Sequence, residues 1–271
     1  MTALSTTSEI AAEWRKAAIS PLSWAHCENQ AGAAQGEAGG LFVEAAGFPR
    51  RAYMKPVHDH EDDQIVCRAA REKVAADLAH DLGLPVPPAQ LTTWRERRIS
   101  KPVVVSLVMY PRQFAWLQVR GEPIPESVYG AALASVLAKG TPMLAFDTWL
   151  GQEDHGDHPH NIVWGYEPSN MANSGLIFLD YSFSMGYNGR WRDGGWKPVT
   201  LVPFPPLLLQ YLDKQSLRTA VEKIEAYSDA EIGAVIQRVP DSHMAPAQRE
   251  LLQEALIGRK TLLRTCLQQL L

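Results

Sequence analysis

The chain has 271 residues, of which 46% are hydrophobic, and a formal net charge of −4. That is ample apolar material for one or two globular domains, and the acidic balance argues against nucleic-acid backbone binding as the main role. No window of about 18 apolar residues interrupts it, the first residues carry neither a basic n-region nor an apolar h-region, and Cys27, Cys67 and Cys266 are scattered without C-x-x-C spacing; the expectation is a reduced, cytoplasmic protein with no membrane partner.

Residues 1–30 read as an N-terminal extension, with a helix from Glu9 to Ile19 stopped by Pro21. Residues 31–40 are small and Gly-rich. Such a loop lets backbone N–H groups approach phosphates, although the pattern is not G-x-G-x-x-G and a plain linker competes with that reading. Leu41–Ala46, the turn Gly47–Arg50 and Arg51–Lys55 then read as a β-hairpin that places Lys55 at a strand end.

An acidic loop, His58–Asp63, leads to a helix over about 64–81. Ile65, Ala69, Ala76 and Ala79 share one stripe with Glu72, while Val66, Ala70, Val74 and Leu78 form another, as in a helix packed between two layers. A carboxylate on an apolar stripe needs a partner. Lys55 is one candidate, and Arg68, one helical turn away, is the other. Leu82-Gly-Leu-Pro-Val-Pro-Pro88 stops the helix with Gly and Pro.

Strands follow at about 89–94 and 102–109, joined by a basic tip of Arg95, Arg97, Arg98 and Lys101. Tyr110-Pro-Arg-Gln113 breaks the pattern; backbone around Met109 and Tyr110 is where a hinge between lobes would meet a nucleotide base. Two helical segments in 126–150 flank Gly140-Thr-Pro142, and the second, Met143–Leu150, runs into a polar loop, 154–161. A strand entered at Asn161, a turn over 167–175 and an apolar strand at 176–179 form a hairpin that returns Asp180 to the side of Asn161. Residues 184–206 are rich in Gly, Trp and Pro, and helices follow at 216–227, 229–238 and 247–270.

Lys55, Glu72, Asp154, Asn161 and Asp180 occur in the order in which protein kinases place a phosphate-gripping lysine, its glutamate, a catalytic Asp, and Asn and Asp ligands for Mg²⁺. In the common kinase signature the Asn follows the catalytic Asp by five residues. Here Asp154 precedes Asn161 by seven and Asp157 precedes it by four, so the residues alone leave both aspartates open for the catalytic role. A competing chemistry is a zinc site of His155, His158 and His160 with Asp154 and Asp157, though these lie in one short loop without the H-E-x-x-H spacing. A third reading is a kinase-shaped binding module without catalysis.

The loop, hairpin and late Asp resemble the HipA-like serine/threonine kinases, as do Leu82–Pro88 ten residues after Glu72 and Val239-Pro-Asp-Ser-His243 before a helix with Arg259-Lys260. The resemblance covers roughly residues 40–271. It implies an α+β, two-lobed protein-kinase-like fold with a small β-rich N-lobe (31–112) and a mainly helical C-lobe (113–271). By it, Asp154 is the catalytic Asp, Lys55 and Glu72 with the Met109–Tyr110 hinge hold ATP, and Asn161 and Asp180 hold Mg²⁺. It implies a protein Ser/Thr acceptor and, as in toxin–antitoxin pairs, a neighbouring antitoxin; a small-molecule or RNA acceptor is the alternative. The chain departs from the group at His155, where compact members carry Arg, and at Tyr181-Ser182-Phe183, where kinases carry Phe-Gly.

Overall fold

Strand alternation builds the first layer. In the computed structural model, which describes residues 7–27, 40–56, 67–96, 99–115, 133–186 and 190–271, β1 (Trp24–His26), β2 (Leu41–Ala45), β3 (Ala52–Pro56), β4 (Ala89–Glu96) and β5 (Ile99–Leu107) form an antiparallel sheet ordered β1-β2-β3-β5-β4. The Gly-rich stretch 31–39, the acidic loop 58–63, and Arg97 and Arg98 lie outside the described residues. Ala52 and Met54 on β3 join Val43, Val103, Val105 and Leu107 in a small core, closed by Ile10 and Trp14 of α1 (Thr7–Lys16). With a side-chain period of two, Tyr53 and Lys55 point to the opposite face.

α1 is shorter than its periodicity suggests. Beyond Lys16 the chain pairs with the open edge of β4 instead: Ser20 donates to the Leu91 carbonyl at 2.7 Å and Leu91 donates to that of Ala18 at 2.7 Å. An edge strand offers unpaired N–H and C=O groups, and satisfying them outweighs continuing the helix.

α2 (Arg68–Leu82) is the central helix and is buried almost all round, including Arg71, Glu72, Lys73 and Asp77. Its charges are tied to surrounding elements. Lys73 Nζ donates to the Trp14 carbonyl of α1 and to Asp77, both at 2.9 Å, and Arg71 donates to the Ser182 carbonyl at 2.7 Å. Gly83, at φ +70°, ends the helix, with Leu84 donating back to Ala79 at 2.8 Å; such a cap needs a left-handed residue.

β6 (Arg112–Ala115), β7 (Ile162–Glu167) and β8 (Asn170–Phe178) make a second antiparallel sheet in that order. β6 is a departure from the sequence expectation: four residues are too few to show alternation, and Arg112 and Gln113 are exposed. β8 also begins earlier than expected, because the Ser-Asn-Gly residues read as a turn pair along an outer hairpin arm, with a register shift at Tyr166–Glu167.

The remaining elements are helical: α3 (Leu133–Ala138), α4 (Thr141–Leu150), the short α5 (Asp154–Asp157) with a 3-10 turn at Pro159–Asn161, α6 (Pro206–Gln210), α7 (Lys214–Ala226), α8 (Asp229–Gln237) and α9 (Pro246–Leu267). One core runs from Leu78 of α2 through Phe146 and Trp149 to Val221, Ile236 and Leu256. α8 opens with a capping box in which Ser228 and Glu231 bond each other's backbone N–H, an arrangement worth about 1 kcal/mol. Among the described residues no helix is long and apolar enough to cross a membrane.

Arg259 closes this half. Its guanidinium donates to the Trp149 and Thr148 carbonyls at 2.6 Å each and to that of Trp196 at 3.3 Å, and it lies 4.9 Å from the Trp191 ring centroid. A cation at the α4 C-terminus satisfies carbonyls that the helix leaves unpaired, although burial pushes its pKa down to about 10. Arg259→Ala strands several buried carbonyls and frees the two tryptophans, so a loss on the order of 3 kcal/mol is expected. A urea midpoint within error of wild type would show that the arginine is dispensable.

Candidate active site

Lys55 sits between two carboxylates. Its ammonium is 2.6 Å from Glu72 Oε1 and 3.0 Å from Asp180 Oδ1, with side-chain exposures of 15%, 7% and 23% respectively. The strand turns Lys55 off the small core, α2 presents Glu72 to it, and the β7–β8 hairpin brings in Asp180. Arg68, the rival partner for Glu72, lies instead over the Phe183 ring at 5.1 Å.

The charges follow from this sharing. Burial alone would lower the Lys55 pKa, but the charges of Asp180 and Glu72 outweigh it and hold the amine above the usual lysine range. Burial would raise Asp180, yet Lys55 and the Ser182 hydroxyl, which donates to Oδ1 at 2.5 Å, hold it well below the carboxylate range. Glu72 goes the other way, raised by burial and by Asp180 despite its contact with Lys55. One ammonium cannot fully compensate two carboxylates, and the deeper one bears the cost.

The hairpin register pairs Ile162 with Phe178, and Leu179 donates to the Asn161 carbonyl at 2.8 Å, so Asn161 and Asp180 are neighbours in space. Asn161 Nδ2 donates to Asp154 Oδ2 at 2.6 Å, which leaves its Oδ1 as a hard acceptor, and His158 Nδ1 contacts Asp154 Oδ1. Asp154 is thus held on both oxygens at 11% exposure. Asp157 is exposed, and no hydrogen bond or ion pair joins its side chain to another described residue.

The three loop histidines diverge. His158 orients Asp154, His160 lies edge-on to it with ring centroids 5.5 Å apart, and His155 is buried and turned inward. Among the described residues no three His, Cys, Asp or Glu side chains are grouped as a resident metal requires, so the zinc arrangement is not formed.

Sequence reasoning assigned no role to Asp147 or Gln152. Both are fully buried: Asp147 contacts His155 and Tyr181, and Gln152 donates to the Asp180 carbonyl at 2.5 Å. The signal was a carboxylate inside an apolar helix. Burial alone would lower the His155 pKa, but the charge and hydrogen bond of Asp147 outweigh it and raise the value. A raised imidazole pKa gives stability that is complete below the unfolded value of about 6.5 and is lost as pH rises through the folded value. The stability advantage of wild type over His155→Asn is therefore expected to shrink above pH 6.5, as read from unfolding midpoints at successive pH values; a constant difference would show that His155 does not titrate there.

The Met109–Tyr110 segment is braced from behind, with Arg50 donating to the Val108 and Met109 carbonyls at 2.8 and 2.5 Å. In the amide orientation that satisfies both groups, Gln113 Oε1 accepts from the Met109 and Tyr110 N–H groups at 3.2 Å each. The Tyr110 ring lies on β7, where a Cβ at Gly165 would come within 2.3 Å of it; this close approach needs glycine. Gly156 has the same role in α5, since a Cβ there would meet the Pro203 backbone at 2.6 Å. Gly156→Ala is expected to separate α5 from the 203–206 segment and lower the Tm by several degrees; a fully wild-type melt would refute this tight contact.

The arrangement defines a class: a two-lobed, protein-kinase-like α+β fold with a curled antiparallel sheet and a helical second lobe. Among solved structures, the chain is similar over 93% of its length to 97% of a Helicobacter pylori proinflammatory kinase, CtkA, with a TM-score of 0.60 and 12% sequence identity. At that identity the likeness shows the fold alone. Looser matches are to a Golgi casein kinase (TM-score 0.45, 13% identity, 97% of this chain and 77% of that chain) and a microcompartment-associated aminopropanol kinase (TM-score 0.27, 11% identity, 96% and 97%). No family model matches the sequence, and no curated protein sequence matches it.

Proposed function

We propose that this chain is an ATP- and Mg²⁺-dependent phosphotransferase of the HipA-like kind, moving the γ-phosphoryl group of ATP to a Ser/Thr hydroxyl of a protein. The observation that carries the reading is the Lys55 ammonium held between Glu72 and Asp180 at 2.6 and 3.0 Å. A buried lysine fixed in this way is a preorganised cation for phosphate oxygens.

The donor chemistry suits magnesium. The Asp180 carboxylate and Asn161 Oδ1 offer hard oxygens on adjacent chain segments, and Mg²⁺ in such sites takes one or two carboxylates plus substrate phosphates rather than a full protein cage. Bound there, Mg²⁺ would supply charge neutralisation between the phosphates. Lys55 grips the α/β-phosphates with Glu72 as its anchor. Asp154, oriented by His158 and Asn161, accepts the acceptor's proton while the hydroxyl oxygen bonds to the γ-phosphorus and the bond to the β–γ bridging oxygen breaks, releasing ADP. Asp157 is not assigned this role, because no described side chain orients it. The lobes are taken as 31–112 and 113–271; the protein acceptor and an antitoxin partner come from the family resemblance.

The test is thermal unfolding with and without ATP, each with and without Mg²⁺, on wild type and Asp180→Asn. Ligand at about 100 times its dissociation constant stabilises by about 2.7 kcal/mol, a shift of roughly 5–10 °C for a chain of this size. A Mg²⁺-dependent shift that weakens in Asp180→Asn is the expected result. Absence of a shift with any nucleotide rejects the reading, and binding without turnover on any acceptor favours a non-catalytic module.

A further inference from the structure

Behind the site lies a buried polar frame that the roles above do not use. Asp147 on α4 is 0% exposed, and its two oxygens have separate partners: Oδ2 lies 2.7 Å from His155 Nδ1, and Oδ1 accepts from the Tyr181 hydroxyl at 2.9 Å. Among the described residues no lysine or arginine is paired with it. A carboxylate at this depth is costly unless compensated. His155 supplies the compensation. Its Nδ1 faces the Asp147 carboxyl at 2.7 Å and its Nε2 faces the Leu179 carbonyl at 2.7 Å; an imidazolium, which donates from both nitrogens, suits this pair of oxygens, and against the effect of burial Asp147 raises the His155 pKa in that direction.

The frame joins the two chain segments on which the chemistry depends. His155 follows Asp154 directly, so one end is the α5 turn. The other end is Leu179 and Tyr181, which flank Asp180. Asp180 itself has φ +63°, a conformation that a non-Gly residue keeps only when its surroundings over-determine it. They do so here: His155 holds the carbonyl before it, Gln152 holds its own carbonyl at 2.5 Å, and Asp147 holds the side chain after it. No other part of the molecule ties the Asp154 turn to the Asp180 turn through buried charge among the described residues.

We propose that Asp147 is a positioning residue for the metal–nucleotide site. Through His155 and Tyr181 it keeps the backbone around Asp180 in register with the Asp154 turn, and so sets how well Asp180 and Asn161 receive Mg²⁺. This rests on the kinase reading above and deepens it. Asp147→Asn keeps the shape but removes the charge that holds the imidazolium; Tyr181→Phe removes one bond and leaves the charge.

The experiment is a Mg²⁺ titration of ATP-induced thermal stabilisation, at fixed ATP, on wild type, Asp147→Asn and Tyr181→Phe. In Asp147→Asn the half-saturating Mg²⁺ is expected to rise on the order of tenfold, the usual cost of losing an outer partner of a metal ligand. Tyr181→Phe is expected to fall between it and wild type, and the shift given by metal-free ATP is expected to stay unchanged. A merely structural role would lower the unliganded Tm and leave the Mg²⁺ midpoint in place; titrations that superimpose on wild type overturn the inference. If Asp147→Asn fails to fold, the Tyr181→Phe titration decides by the same criterion. A wild type with no Mg²⁺-dependent stabilisation rejects the kinase reading itself and this inference with it, and is told apart by needing no variant.

Discussion

Lys55→Met is expected to destabilise the protein at neutral pH and, if the proposed function holds, to abolish ATP-dependent phosphotransfer. The loss of activity would follow from removing the cation proposed to grip the phosphates, a loss of at least about 10²–10³ in rate by analogy with single stabilising donors, at about 3–4 kcal/mol of barrier. The loss of stability follows from the two carboxylates it leaves behind. Glu72 and Asp180 have side-chain exposures of 7% and 23% and share this one ammonium. Deleting one member of a buried ionic group costs roughly 3–5 kcal/mol, or about 10 °C for a chain of this size.

The pH dependence carries a definite sign. In wild type Asp180 is held below its ordinary pKa, so its contribution is present above the unfolded value of about 3.9 and is lost as pH falls through the folded one. Without Lys55, burial and mutual repulsion push the carboxylates upward, and the variant gains stability as they protonate. The gap between wild type and Lys55→Met should therefore narrow from pH 7 to pH 5. Urea midpoints at the two pH values, with transfer of labelled phosphate measured alongside, check both parts. A variant that retains activity within tenfold of wild type excludes Lys55 from the phosphate-gripping role.

If the proposed phosphotransferase function holds, Asp154→Asn is expected to lower transfer by about 10²–10⁴, the range for losing a positioned base, while a Mg²⁺-dependent thermal shift with ATP is retained. Asn keeps one acceptor, which His158 can use, and sets its NH2 group against Asn161 Nδ2, so the variant loses the proton acceptor and one of the two bonds that hold the turn. Asp157→Ala should leave transfer within about twofold, as expected for an exposed surface position. If the two variants exchange these phenotypes, the catalytic role moves to Asp157 and the hydrogen bonds around Asp154 are structural.

The strand and helix periodicities carried much of this site. A period of two placed Lys55 at a strand end, a period of 3.6 placed Glu72 among small apolar residues, and the hairpin returned Asp180 to Asn161. Periodicity does not say which cation meets a buried carboxylate: Lys55 was favoured over Arg68 only by the order of the elements until the sheet and α2 had a relative position. Asp147 was illegible for a similar reason. Its partners lie 8 and 34 residues away, across a loop and a hairpin, and its helix shows only one charge among apolar neighbours. The histidines were ambiguous because a short loop gives no period at all; backbone geometry alone sends His155 inward and His158 to Asp154. β6 was hidden by its length, and the end of α1 by the hunger of an edge strand for partners.

The burial of α2 has a consequence for control and for chemical intervention. Its charged side chains are tied to α1 through Trp14, to the turn after Asp180 through Ser182, and to the C-terminal helices, where Arg238 lies 3.6 Å from Asp77 and Tyr227 bonds Asp81. A helix fastened on three sides does not swing as a rigid lever, because any outward stroke breaks buried ionic contacts together. The lysine–glutamate pair is thus a permanent fitting, not a ratchet. Compounds that work by wedging such a helix away from its sheet would have to break those contacts together.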